Sequence, residues 1–252
     1  MGCVPAAGIP ESSHSSVCTF TASSNDDLVK CVQDFWAQEV IPSPKGGGLS
    51  KMERECEEHF LNTHSRDPTG RSVVCLPFIS TPTGCEESRK LAGYMLERMQ
   101  RRFSRDPRFA QLYADFLREY QTLSHMERIS TEEAKSAYHL PHHGVLREAS
   151  STTKLRVVFN GSQKSSSGAT LNDKLHTGPK LQQDLIDVLL RWRRHAYVFT
   201  SDIEKMYRQI LVHPEDRKWQ CILGSETPER SPESFQLCTV TYGPASAPYH
   251  AL

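Results

Sequence analysis

Apolar residues recur at helical spacing in several stretches of the chain and alternate with polar ones in others. From about Glu87 to Phe103, Leu91, Tyr94, Met95 and Met99 form an apolar stripe. From Pro107 onward, Phe109, Leu112, Tyr113, Phe116, Leu117 and Tyr120 form another. Both predict amphipathic helices whose aromatics serve core packing. Pro179 to His195 predicts a further helix, with Leu181, Leu185, Val188, Leu189 and Trp192 on one face. Lys51 to His64 is charged and predicts a helix as well. Asp26 to Glu39 predicts a short one with Leu28, Val32, Phe35 and Trp36 together. Strands are expected at Ser72 to Phe78, Tyr138 to Glu148, Lys154 to Asn160, Lys218 to Leu223 and Phe235 to Thr241. Ala196 to Ser201 is a short apolar run that reads as a strand ending at Asp202. Helices and strands mix without regular alternation, so the expected class is α+β.

Punctuation between these segments is clear. Ile41 to Leu49 (IPSPKGGGL) reads as a linker, and Asp67-Pro68-Thr69-Gly70 as a turn. Gln163 to Gly168 is a polar loop. The first 27 residues are rich in Ser, Thr, Gly and Pro without periodicity and read as a tail.

Composition narrows the class. The chain has 252 residues, long enough for one large domain or two small ones. No apolar run approaches the roughly eighteen residues of a membrane span, and the first ten residues lack the basic start and apolar stretch of a secretory signal. A chain that is not secreted is expected, in the cytoplasm, with a virus-like particle or the nucleus as alternatives. The eight cysteines show no C-x-x-C pair and read as free thiols. Net charge is zero, which argues weakly against a dedicated nucleic-acid binder. From Ser151 to His195, however, basic residues exceed acidic ones by five.

The segment Phe199 to Arg217, FTSDIEKMYRQILVHPEDR, is the most informative. An apolar run delivers Asp202 to its end, and Tyr207 follows five residues later. A carboxylate at a strand end is where a protein would hold a divalent metal for phosphoryl transfer; Asp202 as the cap of a following helix is the plainer alternative. Around it stand KLRVVFN (Lys154–Asn160) upstream and VTYGPASAP (Val240–Pro248) downstream. These strings occur in the order of reverse-transcriptase polymerase motifs. With YHLPHHGVLRE (Tyr138–Glu148), FWAQEVIPSP (Phe35–Pro44) and CEEHFLNTHSRDPTGRSVVCLPF (Cys56–Phe78), the chain resembles the Pol polyprotein of BEL/Pao-type LTR retrotransposons. The resemblance covers most of the chain from Phe35 onward.

What the resemblance implies is specific. Residues 28–130 would be the mostly helical region connecting protease to polymerase, and 131–252 a partial fingers and palm of a right-hand polymerase. Asp202 matches the first catalytic aspartate, a ligand of both Mg²⁺ (or Mn²⁺) ions, with the Ile203 carbonyl helping. Tyr207 matches the aromatic gate that rejects a 2′-hydroxyl. Arg156 matches the fingers arginine on the incoming triphosphate, with Lys154 adding charge nearby. Tyr242, Gly243 and Pro248 match the motif shaping the nucleotide pocket. The implied partners are an RNA or DNA template-primer, a deoxynucleoside triphosphate and the remainder of the Pol polyprotein. Two departures stand out. Asn160 replaces an aspartate common in the family, and no Y-x-D-D motif occurs in these residues. One carboxylate cannot assemble a two-metal site, so this chain alone is expected not to polymerise. The competing expectation is a non-catalytic remnant or domesticated module, binding nucleic acid or protein through Lys154 to Arg194.

Other patterns point to less. Cys56, His59 and His64, with Cys75, have a loose zinc-like spacing but no evident fourth ligand; chance placement on a charged helix is the better reading. The proline in Asp67-Pro68-Thr69-Gly70 breaks any likeness to an aspartic-protease motif. His139, His142 and His143 suit structural roles in a strand.

Overall fold

A computed structural model describes residues 29–30, 48–148, 154–225 and 231–252. The expected tail and most of the expected helix Asp26–Glu39 and of the linker lie outside the described residues. Residues Leu49–Leu252 form one compact unit, a mixture of helices and small sheets, as the α+β reading expects.

In chain order the elements are α1 (Lys51–Thr63), β1 (Ser65–Arg66), β2 (Ser72–Val74), α2 (Cys85–Phe103), α3 (Pro107–Thr122), β3 (Met126–Arg128) and α4 (Thr131–Lys135). Then follow β4 (His142–Leu146), β5 (Leu155–Phe159), α5 (Leu185–Trp192), β6 (Leu211–Val212), β7 (Cys221–Gly224), β8 (Glu233–Leu237) and α6 (Ala247–His250). Strands β1-β2-β6 form one sheet, with β2 and β6 parallel. Strands β3-β8-β7 form an antiparallel sheet, and β4 with β5 a hairpin. Residues on both sides of position 130 therefore share the first two sheets. No described helix is long and apolar enough to cross a membrane.

Local chemistry explains the helix starts. Ser50 and Glu53 cap α1 reciprocally, as Ser130 and Glu133 cap α4. Asp106 accepts the Phe109 N–H at 3.0 Å, and Pro107 opens α3 where a missing N–H costs nothing. Asp67 builds the expected turn. Its Oδ1 accepts from the N–H groups of Thr69 and Arg71, each at 2.9 Å, and from the Thr69 hydroxyl at 2.7 Å. These bonds, the Thr69 hydroxyl foremost, hold its carboxyl below the usual range.

The core gathers on α2 and α3. Phe109, Tyr113, Leu117 and Tyr120 are buried at the expected spacing. On α2 the buried face is Ser88, Ala92, Leu96, Met99 and Phe103, rotated from the expected stripe, and Tyr94 is 64% exposed. Leu96 and Phe103 bring more apolar area inward at the same spacing, and Phe103 packs at a tilt against Phe109 and Tyr113 with centroids 5.7 and 5.1 Å away. The β4–β5 hairpin lies over α3 at Gly144, where a Cβ would stand 2.7 Å from Phe109 Cζ. His142 is fully enclosed there. Its Nε2 lies 2.8 Å from the Tyr113 hydroxyl, and a hydrogen bond to the Leu140 backbone also holds the ring. Burial pushes the His142 imidazole down to about 4.

Several expected elements come out shorter or absent. Pro77 ends the Ser72–Phe78 strand early, leaving β2 and an isolated bridge from Phe78 to Leu175. Lys218 and Trp219 sit in a 3₁₀ turn (Pro214–Trp219) ahead of β7, and β8 stops at Leu237. The Pro179–His195 helix is only α5, and none of it is buried. Ala196 to Ser201 is no strand. No neighbour among the described residues pairs with it, and a lone strand has nothing to satisfy its backbone.

Candidate nucleotide site

The site is built from three segments far apart in sequence. Strand β5 buries Leu155, Val157 and Phe159 and turns Arg156 to the other face. Lys154, just before the strand, shares that side by alternation and is exposed. The Arg156 guanidinium lies over the Tyr242 ring, 4.9 Å from its centroid. Tyr242 in turn packs on Tyr207, with centroids 4.4 Å apart and planes tilted by 47°. Cation–π and aromatic contacts of this kind hold a partly exposed platform of two tilted rings with one fixed positive charge beside it. Burial pushes the Tyr207 phenol up, Tyr242 adds to this, and Arg156 opposes it.

Each platform residue is held from behind. Gly243 approaches the end of β5 closely: a Cβ there would be 2.3 Å from the Phe159 carbonyl oxygen, and its φ of +116° suits only glycine. Asn172 ties the two segments together. Its amide donates to the Gly243 carbonyl at 3.0 Å and to Ser162 Oγ at 2.8 Å, while its oxygen accepts the Ala245 N–H at 2.9 Å. Pro248 sits on α6, exposed, next to Tyr249, whose hydroxyl donates to Glu57 on α1 at 2.9 Å.

Tyr207 rides on a single 3₁₀ turn, Met206–Gln209. Lys205 before it is left-handed at φ 54°, and its ammonium reaches Glu119 at 2.6 Å. Arg71 donates to the Arg208 carbonyl at 2.8 Å and the Gln209 carbonyl at 3.3 Å. Arg208 lies over Tyr120, 5.2 Å from the ring centroid. Burial, then Arg208, Lys205 and Arg71, push the nearby His125 imidazole down to about 4.

Asp202 and Ile203 are not part of this platform. Both are exposed, Ile203 by 61%, and Asp202 makes no hydrogen bond or ion pair among the described residues. The buried strand end expected for Asp202 is missing because Ala196–Ser201 is unpaired. Among the described residues no group of three His, Cys, Asp or Glu side chains converges as metal ligands. The residues present thus do not make a two-metal site.

The remaining sequence candidates resolve into structure. Cys56 is buried, but His64 faces elsewhere, stacked on Phe60 at 4.7 Å with Nδ1 on the Phe60 carbonyl. His139 is enclosed between Ala137 O and Ser234 Oγ, each at 3.1 Å. His143 is exposed.

Sequence reasoning missed Arg71, Lys205 and Asn172. Asn172 lies in the string Leu171-Asn172-Asp173, between the polar loop and the Pro179–His195 segment. Arg71 and Lys205 gave no local signal.

Elsewhere, α5 presents Leu185, Ile186, Leu189 and Leu190 at 45–70% exposure, and Tyr197 and Phe199 exceed 90%. So much exposed apolar side chain in one stretch marks a surface built to be covered. Comparison with protein-family models and with curated protein sequences finds no match to this chain.

Proposed function

We propose that the chain carries the fingers and part of the palm of an RNA-directed DNA polymerase of the BEL/Pao retrotransposon type, joined to its connection region. The observation that carries this reading is the Arg156–Tyr242–Tyr207 platform. Sequence motifs separated by tens of residues, each expected to face the same nucleotide, meet through ring and guanidinium contacts. A deoxynucleoside triphosphate would lie with its phosphates toward Arg156 and Lys154 and its sugar against Tyr207. The ring would then meet a 2′-hydroxyl and favour the deoxy sugar. Gly243 lets backbone come close to the substrate. In the longer polymerase Asp202 and the Ile203 carbonyl would help hold Mg²⁺ or Mn²⁺, and template-primer and further Pol segments would complete the site. The bare apolar surface of α5 and residues 196–203 supports a palm that packs against more protein.

The test is binding of dATP and ATP, which differ only in the 2′-hydroxyl, read by fluorescence titration. The expected result is tighter dATP binding, weakened at least tenfold by Arg156→Ala, with the dATP preference lost in Tyr207→Ala. Equal affinities for both nucleotides, unmoved by either substitution, would sink the proposal.

A second reading is a non-catalytic nucleic-acid-binding module, favoured by Asp202 standing exposed while no group of three metal-ligating side chains converges among the described residues. Primer extension on an RNA template with Mg²⁺ separates the two. Incorporation abolished by Asp202→Ala rules out the second reading. Salt-sensitive binding without incorporation supports it.

A further inference from the structure

Uncommitted chemistry lies away from the platform, in the C-terminal half of α2. Arg98, Arg101, Arg102, Arg105 and Arg108 fall within eleven consecutive residues, with Asp106 as the one carboxylate among them. All five are exposed. Arg98, Arg101 and Arg102 stand three and four residues apart on one face of α2, and Arg105 follows in the turn after it. Like charges at that spacing repel, by roughly 0.2–0.5 kcal/mol per pair on an isolated helix. The N-terminal half of the same helix follows the ordinary pattern, with Glu86 and Lys90 paired at 2.7 Å. Two of the five arginines have partners. Arg108 forks onto Glu148 with both contacts at 3.2 Å, and Arg102 lies 3.9 Å over Phe109 and 3.8 Å from Asp106. Arg98, Arg101 and Arg105 have no side-chain partner among the described residues. Glu97 is four residues before Arg101, yet the two form no ion pair. Helix-dipole complementarity accounts for cations in the last turn, Arg101 and Arg102, but not for Arg98 one turn earlier or Arg105 beyond the end.

Arg98 and Arg102 edge a groove, and Arg101 and Arg105 continue the stripe beside it. Met95, Arg98, Met99 and Arg102 of α2 form one wall, His143 and Gly144 of the β4–β5 hairpin the other, and Phe109 lies between. Its volume is about 450 Å³. The groove has an apolar floor, a cationic wall, and almost no carboxylate facing it.

We propose that this groove and the arginine stripe beside it bind the phosphodiester backbone of single-stranded nucleic acid, at a surface separate from the nucleotide platform. From Arg98 to Arg105 the stripe runs about 10 Å at 1.5 Å per helical residue, the reach of about three phosphates of one strand. Guanidinium groups suit phosphate oxygens by their forked donors. The apolar lining of Met95, Met99 and Phe109 accepts bases without sequence preference. The acidic side chain of a protein partner would also meet the charge, but a flexible polyanion satisfies all three unpartnered arginines at regular spacing.

The experiment uses the whole chain and a fluorescein-labelled 20-nucleotide oligo(dT), read by anisotropy across a series of KCl concentrations. The variant is R98Q/R101Q/R105Q, which removes only side chains without partners, and circular dichroism checks that it folds. The proposal expects about 100-fold weaker binding near 0.1 M salt, and a log–log salt slope shallower by about 2, at roughly 0.7 for each phosphate no longer neutralised. Unlabelled dATP should not displace the oligonucleotide from this surface, so the result stands whether or not the platform binds nucleotides. Unchanged affinity and slope in the triple variant overturn the proposal. So does a wild-type chain that binds poly-glutamate as tightly as oligo(dT) and loses both equally on substitution, an outcome that assigns the stripe to an acidic protein.

Discussion

Replacing Gly243 by alanine probes the joint between the two halves of the Arg156–Tyr242–Tyr207 platform. Two costs add. A side chain at φ +116° lies outside the region L-residues adopt, a strain of about 1–3 kcal/mol. The new Cβ would also stand 2.3 Å from the Phe159 carbonyl oxygen and 3.0 Å from its carbon. Carbon-to-oxygen contacts settle near 3.3 Å or more, so backbone on one side must retreat by about 1 Å. Neither side yields freely: Phe159 ends a paired strand, and the Gly243 carbonyl is held by Asn172. Overpacking of this kind costs a further 1–3 kcal/mol or so. The expected loss is thus about 4 kcal/mol. In urea, at about 2 kcal/mol per molar for the slope, the midpoint should fall by about 2 M. Gly70→Ala is the matched control, because its φ is +88° but nothing lies within 4 Å of the added Cβ. It should lose only the conformational part, about 1 kcal/mol. If Gly243→Ala costs no more than Gly70→Ala, the close approach to β5 is not a feature of the fold and the platform's rear support is misassigned.

Three further outcomes follow from the same contacts. Tyr113→Phe leaves His142 Nε2 buried without its hydrogen-bond partner and should cost about 1–3 kcal/mol, measured by chemical denaturation. Acid should weaken the fold between about pH 6.5 and 4. Burial holds the His139 and His142 imidazoles down to about 4, so on acidification the unfolded chain binds protons first. Their contribution is complete above the unfolded value and lost on the way down, by about 2 kcal/mol each at pH 5, which thermal melts at stepped pH would read. Arg71→Met removes two donors from the carbonyls behind Tyr207 and should loosen that turn more than the whole protein, seen as faster amide hydrogen exchange at residues 206–210 with a melting temperature lowered by only a few degrees.

What the sequence made legible follows from range. The stripe Phe109, Tyr113, Leu117 and Tyr120 announces its own helix because one face supplies all the information. The alternation in LRVVF announces β5 and puts Arg156 outward for the same reason. Tyr94 misled because several faces of α2 are apolar enough to qualify, and only the packing against Phe103's neighbours selects among them. Ala196–Ser201 has the composition of a strand but no partner among the described residues, and composition cannot supply one. Arg71 was invisible because its role is to meet carbonyls 137 and 138 residues away. The arginine stripe lay in plain view within a segment read for its apolar positions alone.

The parallel pairing of β2 with β6 bears on how such a gene can be rearranged. Val73 and Val74 from the early part of the chain lie beside Leu211 and Val212 from the late part, and Arg71 reaches the turn that carries Tyr207. A recombination breakpoint placed between these stretches would hand the aromatic pocket to descendants without the strand that braces it. Strands β1 and β2 and the turn that carries Tyr207 are therefore one structural block, and an exchange that keeps the platform intact would have to carry both.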